Sequence, residues 1–353
     1  MRRNSRRHVV KVGVAMLGLV GLVAAGGGTA LTSSTTTSAT APVVATSATT
    51  TGGYELAGAD GGVFDFGNAG FYGSTYSDGL TGLHGAHALA APIVGIASTP
   101  DRRGYWMVGA DGGVFNFGDA GFYGSTYSDG LSGLGGAHPL RSPIVGIAST
   151  PDGKGYWLVA KDGFVYSFGD ADYYGDIYSD GLTGLSGPHP LSAPIVGIAA
   201  TPDGQGYWLV GADGGVFNFG DASYYGNTYS DGLTGLSGPH PLSAPIVGIA
   251  ATPDGQGYWL VGADGGVFNF GNAQFHGSTY SDGMTGLGGA HPLQSAVVAI
   301  ASTQDGLGYR VVTKSGMVYD FGSANFDGDT FSLGLTGLSG PHPLSAPIVG
   351  IAQ

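Results

Sequence analysis

The chain has no cysteine in 353 residues. That excludes a disulfide scaffold, a thiolate metal site and a thiol nucleophile. Glutamate is almost missing too: Glu55 is the single one, so no pair of glutamates is there for acid–base work. Basic residues are scarce, 12 against 25 acidic ones. Five of the twelve (Arg2, Arg3, Arg6, Arg7 and Lys11) lie at the extreme N-terminus, which leaves seven against 25 acids and a formal charge of −18 for the remainder. Phosphate binding needs clustered Lys and Arg, so nucleic acid is not an expected partner. A Gly-x-Ser-x-Gly nucleophile elbow is also lacking.

What is present is a repeat. Tyr54, Tyr105, Tyr156, Tyr207, Tyr258 and Tyr309 each stand 51 residues apart, and Pro194–Gly220 returns unchanged as Pro245–Gly271. A fixed period near 50 signals a repeat architecture, to be settled before any motif is read. Glycine, 70 residues, has no collagen period and pairs instead with Asp, Pro and aromatics, as in turn-rich β structure.

Three regions follow. Residues 1–30 read as a signal peptide: a basic start, an apolar run from Val12 to Ala25, then small residues at Val23-Ala24-Ala25 and Gly28-Thr29-Ala30. Ser5-Arg6-Arg7-His8-Val9-Val10-Lys11 resembles the twin-arginine export signal, with Val-Val in place of the usual Phe-Leu. The general export route and a retained anchor are the alternatives, although the run is short of the ~20 residues that span a bilayer. Residues 31–52, nearly all Ser, Thr, Ala, Val and Pro, have no apolar period and read as a disordered tether. Residues 53–353 hold the six repeats.

One repeat reads strand by strand. Pro194–Ala200 is an apolar strand led by Pro. Thr201-Pro202-Asp203-Gly204 is a turn. Gly206–Gly211 is an aromatic, β-branched strand. Asp213-Gly214 is the signal of a two-residue type I′ hairpin. Gly215–Gly220 is a third strand, and Tyr224-Tyr225-Gly226 a short fourth. Thr228–Ala244 returns as a long loop. The expected fold is all-β, a six-bladed β-propeller of four-stranded antiparallel blades. The first unit lacks the Pro-Ile-Val-Gly-Ile-Ala strand and the chain stops on one, Pro347–Gln353, so the C-terminal strand is expected to complete blade one and close the ring. An open solenoid is the alternative.

The motif Gly-Tyr-Trp-Leu-Val-x-x-Asp-Gly-Gly-Val-Phe-x-Phe-Gly-Asp-Ala resembles a repeat of secreted actinobacterial β-propeller proteins, with blades like those of the NHL and YVTN type. The resemblance covers residues 53–353. It implies a propeller that stands alone or beside cell-wall or hydrolase domains, and it carries no catalytic residue.

Two sets of loop residues recur as candidate ligand contacts. His87, His138, His189, His240, His291 and His342 could form a metal, anion or pH-sensing ring, or anchor their loops. Tyr76, Tyr127, Tyr178, Tyr229 and Tyr280 stand two residues before Asp78, Asp129, Asp180, Asp231 and Asp282. An aromatic ring beside a carboxylate suits a sugar, and packing of the loop onto the blade is the other reading. Trp106, Trp157, Trp208 and Trp259 are read as core between blades. Asp170, Asp172 and Asp176, with Asp327 and Asp329, are the oxygen-rich groups that would suit Ca²⁺, although they match no loop signature. No other cofactor is expected. Where the other units have Trp, unit one has Glu55 and unit six Arg310, so both are expected at the closure seam, with an ion pair between them as one arrangement. The functional expectation is an exported, monomeric, non-catalytic binding or structural module at the envelope or in the medium. It would recognise a surface glycan or an envelope protein through its long loops, weakly and many times over. The alternative is a hydrolase or lyase working at the central channel.

Overall fold

A computed structural model describes residues 52–353. The signal peptide and most of the tether lie outside the described residues. Eighteen strands and no helix are found among the described residues. They form six antiparallel sheets of three strands each. Sheet 2 holds β3 (Ile93–Ser98), β4 (Gly104–Gly109) and β5 (Val114–Gly118). Sheet 3 repeats this as β6 (Ile144–Ser149), β7 (Gly155–Ala160) and β8 (Val165–Gly169), sheet 4 as β9 (Ile195–Ala200), β10 (Gly206–Gly211) and β11 (Val216–Gly220), sheet 5 as β12 (Ile246–Ala251), β13 (Gly257–Gly262) and β14 (Val267–Gly271), and sheet 6 as β15 (Val297–Ser302), β16 (Gly308–Thr313) and β17 (Val318–Gly322). Sheet 1 combines the two ends of the repeat region. There β18 (Ile348–Ala352) pairs antiparallel with β1 (Tyr54–Gly58), which pairs with β2 (Val63–Phe66).

Every middle strand is buried along its whole length. A strand flanked on both edges and covered on both faces has no reason to alternate, which is why Gly-Tyr-Trp-Leu-Val reads as a continuous apolar run. Each first strand packs on the first strand of the next sheet, β15 on β18 and β18 on β3 included. Val94, Val145, Val196, Val247, Val298 and Val349, one from each, line a single hollow of about 320 Å³. The arrangement is therefore propeller-like, six open sheets set about one axis.

Two expectations are corrected. The blades have three strands, not four. At the fourth position the Tyr225 N–H donates to the Tyr258 hydroxyl (3.3 Å), and that hydroxyl donates to the Gly226 carbonyl (2.5 Å). The backbone of this segment is thus satisfied by a side chain of the next sheet, and a ladder is neither formed nor needed. The hairpin turn is not type I′, which would need positive φ at both central residues. Gly214 has φ 83°, whereas Arg102 is the one non-glycine with positive φ among the described residues. The Gly214 N–H donates to Gly211 O and the Gly211 N–H to Gly215 O, a glycine-bulge turn.

The joints between sheets are built from aromatics. Each Trp packs on the Tyr of the following sheet at 5.4 to 5.7 Å between ring centroids. Its indole N–H donates to a carbonyl 15 residues on, as Trp208 does to Ser223 O at 2.7 Å. The expectation that Trp is core is met, since all four are fully buried.

Candidate functional site: repeated clefts between sheets

The long loop is pinned where it leaves the sheet. Thr228 is fully buried, and its hydroxyl donates to Asp213 O at 3.1 Å. A Cβ on Gly214 would stand 2.1 Å from that hydroxyl, so glycine is required there on two grounds, this approach and its φ. The next residue, Tyr229, donates to Asp213 Oδ2 at 2.9 Å, while Asp213 Oδ1 accepts the Gly215 N–H. The same tyrosine–aspartate bond recurs as Tyr76–Asp60, Tyr127–Asp111, Tyr178–Asp162 and Tyr280–Asp264, at 2.7 to 2.9 Å. Burial, then the hydrogen bond to the aspartate, then its charge push each of these phenols up to about 12. They therefore stay protonated and donating at neutral pH.

Three of these pairs form one wall of a cleft between sheets. Between sheets 3 and 4, Tyr229, Asp213 and Phe217 face Pro190, Leu191 and Ser192 across about 300 Å³. Between sheets 4 and 5, Tyr280, Asp264 and Phe268 face Pro241, Leu242 and Ser243 across about 280 Å³. Between sheets 6 and 1, Tyr76, Asp60 and Phe64 face Pro343, Leu344 and Ser345 across about 350 Å³. Tyr76, Tyr127, Tyr229 and Tyr280 keep 42 to 44% of their surface exposed, so the rings are presented rather than sealed. Tyr178 is more covered, because the Arg141 guanidinium lies 4.5 Å over its ring. Sheet 6 departs from the pattern: Phe331 stands for the tyrosine and Ser315 for the aspartate, with Ser315 bonded to Ser295 Oγ at 2.8 Å.

The other expected contacts lie elsewhere. Asp78, Asp129, Asp180, Asp231 and Asp282 occupy exposed turns and do not line the three clefts. The six histidines are exposed, each in its own loop, and each backbone carbonyl accepts an N–H from residue 81, 132, 183, 234, 285 or 336. No three metal-ligating side chains converge among the described residues. Asp170 accepts from Thr150 Oγ1 at 3.2 Å, Asp176 accepts the Tyr178 and Ser179 N–H groups, and Asp329 accepts the Ser332 N–H.

Glu55 and Arg310 both stand in the tryptophan position, each 3% exposed. Their ion partners differ. Arg310 reproduces the tryptophan's contacts: it stacks over Tyr54 at 4.8 Å and donates to Asn325 O, again 15 residues on, at 3.0 Å. It pairs with Asp320 (3.0 Å) and Asp327 (3.5 Å), and donates to Gly52 O and to Gln353 Oε1. Glu55 accepts from Ser98 Oγ at 3.4 Å and feels the charge of Arg102, but burial outweighs both and pushes it up to about 7. Arg102 takes the place of the turn glycine found at Gly153 and Gly204, with φ 60°, and donates to Gly53 O at 3.2 Å.

Sequence reading missed the acceptor aspartates of the clefts, Asp60 and its equivalents, because a turn already accounted for them. The available signal was unit six, where tyrosine and aspartate change together. Comparison with protein-family models and with curated proteins gives no match for this chain.

Proposed function

We propose that this chain is an exported, non-catalytic six-bladed β-propeller that acts as a multivalent binding module at the cell envelope or in the medium. The observation that carries the reading is the cleft repeated at three junctions, with the same half-exposed tyrosine, carboxylate and phenylalanine facing the same Pro-Leu-Ser wall. An enzyme needs unlike residues converging on one place. Equal weak sites on a rigid ring instead favour avidity toward a repeating ligand, such as a surface glycan or an envelope protein. The hollow at the axis, where a hydrolase or lyase would have to work, is walled by valine and alanine with Lys314 as the charged residue in its lining. That wall offers neither a nucleophile with a base nor an acid pair.

The test applies the exported protein to an array of envelope glycans and proteins, beside a panel of ester and glycoside substrates. Binding without turnover is the expected result. Turnover without binding would replace this reading with the enzyme. N-terminal sequencing of the secreted protein checks export, with cleavage near residue 30 expected.

A further inference from the structure

At one junction the chain itself places an arginine on the tyrosine ring. At the junction of sheets 2 and 3, residue 141 is arginine where the equivalent clefts have Ser192, Ser243 and Ser345. Its guanidinium lies 4.5 Å over the Tyr178 ring, whose hydroxyl is bound to Asp162 at 2.7 Å. Planar guanidinium on an aromatic face is a cation–π contact, and a carboxylate tied to that ring adds negative charge beside it. The ring and carboxylate are the ones that Tyr76–Asp60, Tyr127–Asp111, Tyr229–Asp213 and Tyr280–Asp264 present unfilled by an arginine. Resting on the reading of the clefts as binding sites, we propose that their ligand is the arginine side chain, and that the partner is an arginine-rich polypeptide segment lying across several clefts.

Three further observations agree. Residues 53–353 carry 25 acidic and seven basic side chains, a field that draws cationic chains toward the surface. In the three clefts of Tyr76, Tyr229 and Tyr280 the wall opposite the ring is Pro and Leu, which suit the aliphatic stem of an arginine. In sheet 6 both elements change at once, ring hydroxyl and carboxylate, to Phe331 and Ser315. That unit keeps its strands and turns, so a Phe–Ser pair is compatible with the blade.

The chain thus provides its own substitutions. Octa-arginine is titrated onto the intact protein and onto three variants. In the first, the four tyrosine–aspartate pairs that carry no arginine take the pair of sheet 6: Tyr76→Phe with Asp60→Ser, Tyr127→Phe with Asp111→Ser, Tyr229→Phe with Asp213→Ser, and Tyr280→Phe with Asp264→Ser. The second removes four charges outside the clefts, at Asp129, Asp180, Asp231 and Asp282, each to Ser. The third is Arg141→Ser, which uncovers a fifth pair, Tyr178–Asp162. The cleft variant is expected to weaken octa-arginine about tenfold or more, the charge-matched variant by less than about twofold, and Arg141→Ser to tighten it. Circular dichroism and melting of each variant confirm the fold. Equal weakening by the first two variants would reduce the effect to bulk charge and overturn the proposal, as would no gain from Arg141→Ser. Binding of neutral glycans with none of octa-arginine would sink this inference and leave the binding module standing. Binding of neither would sink both.

Discussion

Glu55 is a buried acid without a full partner, and its titration should be visible in stability. Burial raises it from the ordinary 4.5 to about 7, against the opposing pull of Arg102 and Ser98, while Asp65 across the strand pair adds to the rise. The sign follows from proton counting. Between pH 4.5 and 7 the folded state holds the proton more often than the unfolded chain, so stability falls as pH rises through that window. Below it the penalty vanishes, and above it the penalty is complete. A shift from 4.5 to about 7 corresponds to an upper figure of ~3 kcal/mol. Glu55→Gln keeps the shape and the acceptor and removes the charge. Arg102 retains its bond to Gly53 O, so that cation is not left without a partner. For about 300 residues, 3 kcal/mol is roughly 5 °C in Tm. Wild type and Glu55→Gln should therefore melt together near pH 4.5 and diverge up to that amount by pH 8, the variant being the more stable. Scanning calorimetry at half-unit pH steps reads this difference directly, because all shared titrations cancel in it. Parallel Tm curves would refute the buried-acid account, and a variant less stable at pH 8 would show that Arg102 holds Glu55 ionised.

Further perturbations act at the joints and clefts. Arg310→Ala leaves Asp320 and Asp327 buried without their cation and should cost about 3 to 5 kcal/mol in urea melts. The triple change Arg310→Trp, Asp320→Asn and Asp327→Tyr copies the joint formed by Trp208, Asn218 and Tyr225; it should equal or exceed wild-type stability, yet give more oligomers on refolding, measured by size-exclusion chromatography. Tyr229→Phe should cost about 1 kcal/mol through the lost bond to Asp213, and Asp213→Ser added to it should recover part of the loss. A double-mutant cycle measures that coupling, and additive costs would contradict the bond.

The period, the strands and the Trp joint were legible because they depend on local pattern and on repetition. The Pro-Ile-Val-Gly-Ile-Ala fragment at the end of the chain matched the strand missing from unit one, and β18 does pair with β1. The fourth strand failed for a physical reason. Tyr225 has the composition of a strand, but its N–H is taken by a hydroxyl 33 residues further on, a partner that local propensity does not register. The clefts were half legible. The tyrosines stood out, whereas each acceptor is 16 residues upstream and was already explained as a turn former. At the seam, Glu55 and Arg310 were visible as departures. Their partners were not, because Asp320 faces Arg310 through strand register, where the equivalent position is Asn in β5, β11 and β14.

That ionic joint bears on how nearly identical units find their order. Strands β3, β6, β9, β12 and β18 share the run Ile-Val-Gly-Ile-Ala, so pairing alone cannot choose among them. Trp joints are likewise interchangeable, and a slip of one unit exchanges one for another at little cost. Arg310 is not interchangeable. Its guanidinium reaches Gln353, and the residue in that position is Ser98, Ser149, Ala200, Ala251 or Ser302 in the other sheets, each too short to serve. Misplacing β18 would leave a buried guanidinium N–H without its acceptor, a penalty that falls on the wrong registers and spares the right one. A single buried polar side chain sets register in coiled coils by the same logic, at some expense of stability. This is why the aromatic triple variant is expected to gain stability and lose fidelity together. A variant that gained stability and refolded as cleanly as wild type would show that chain connectivity alone places β18.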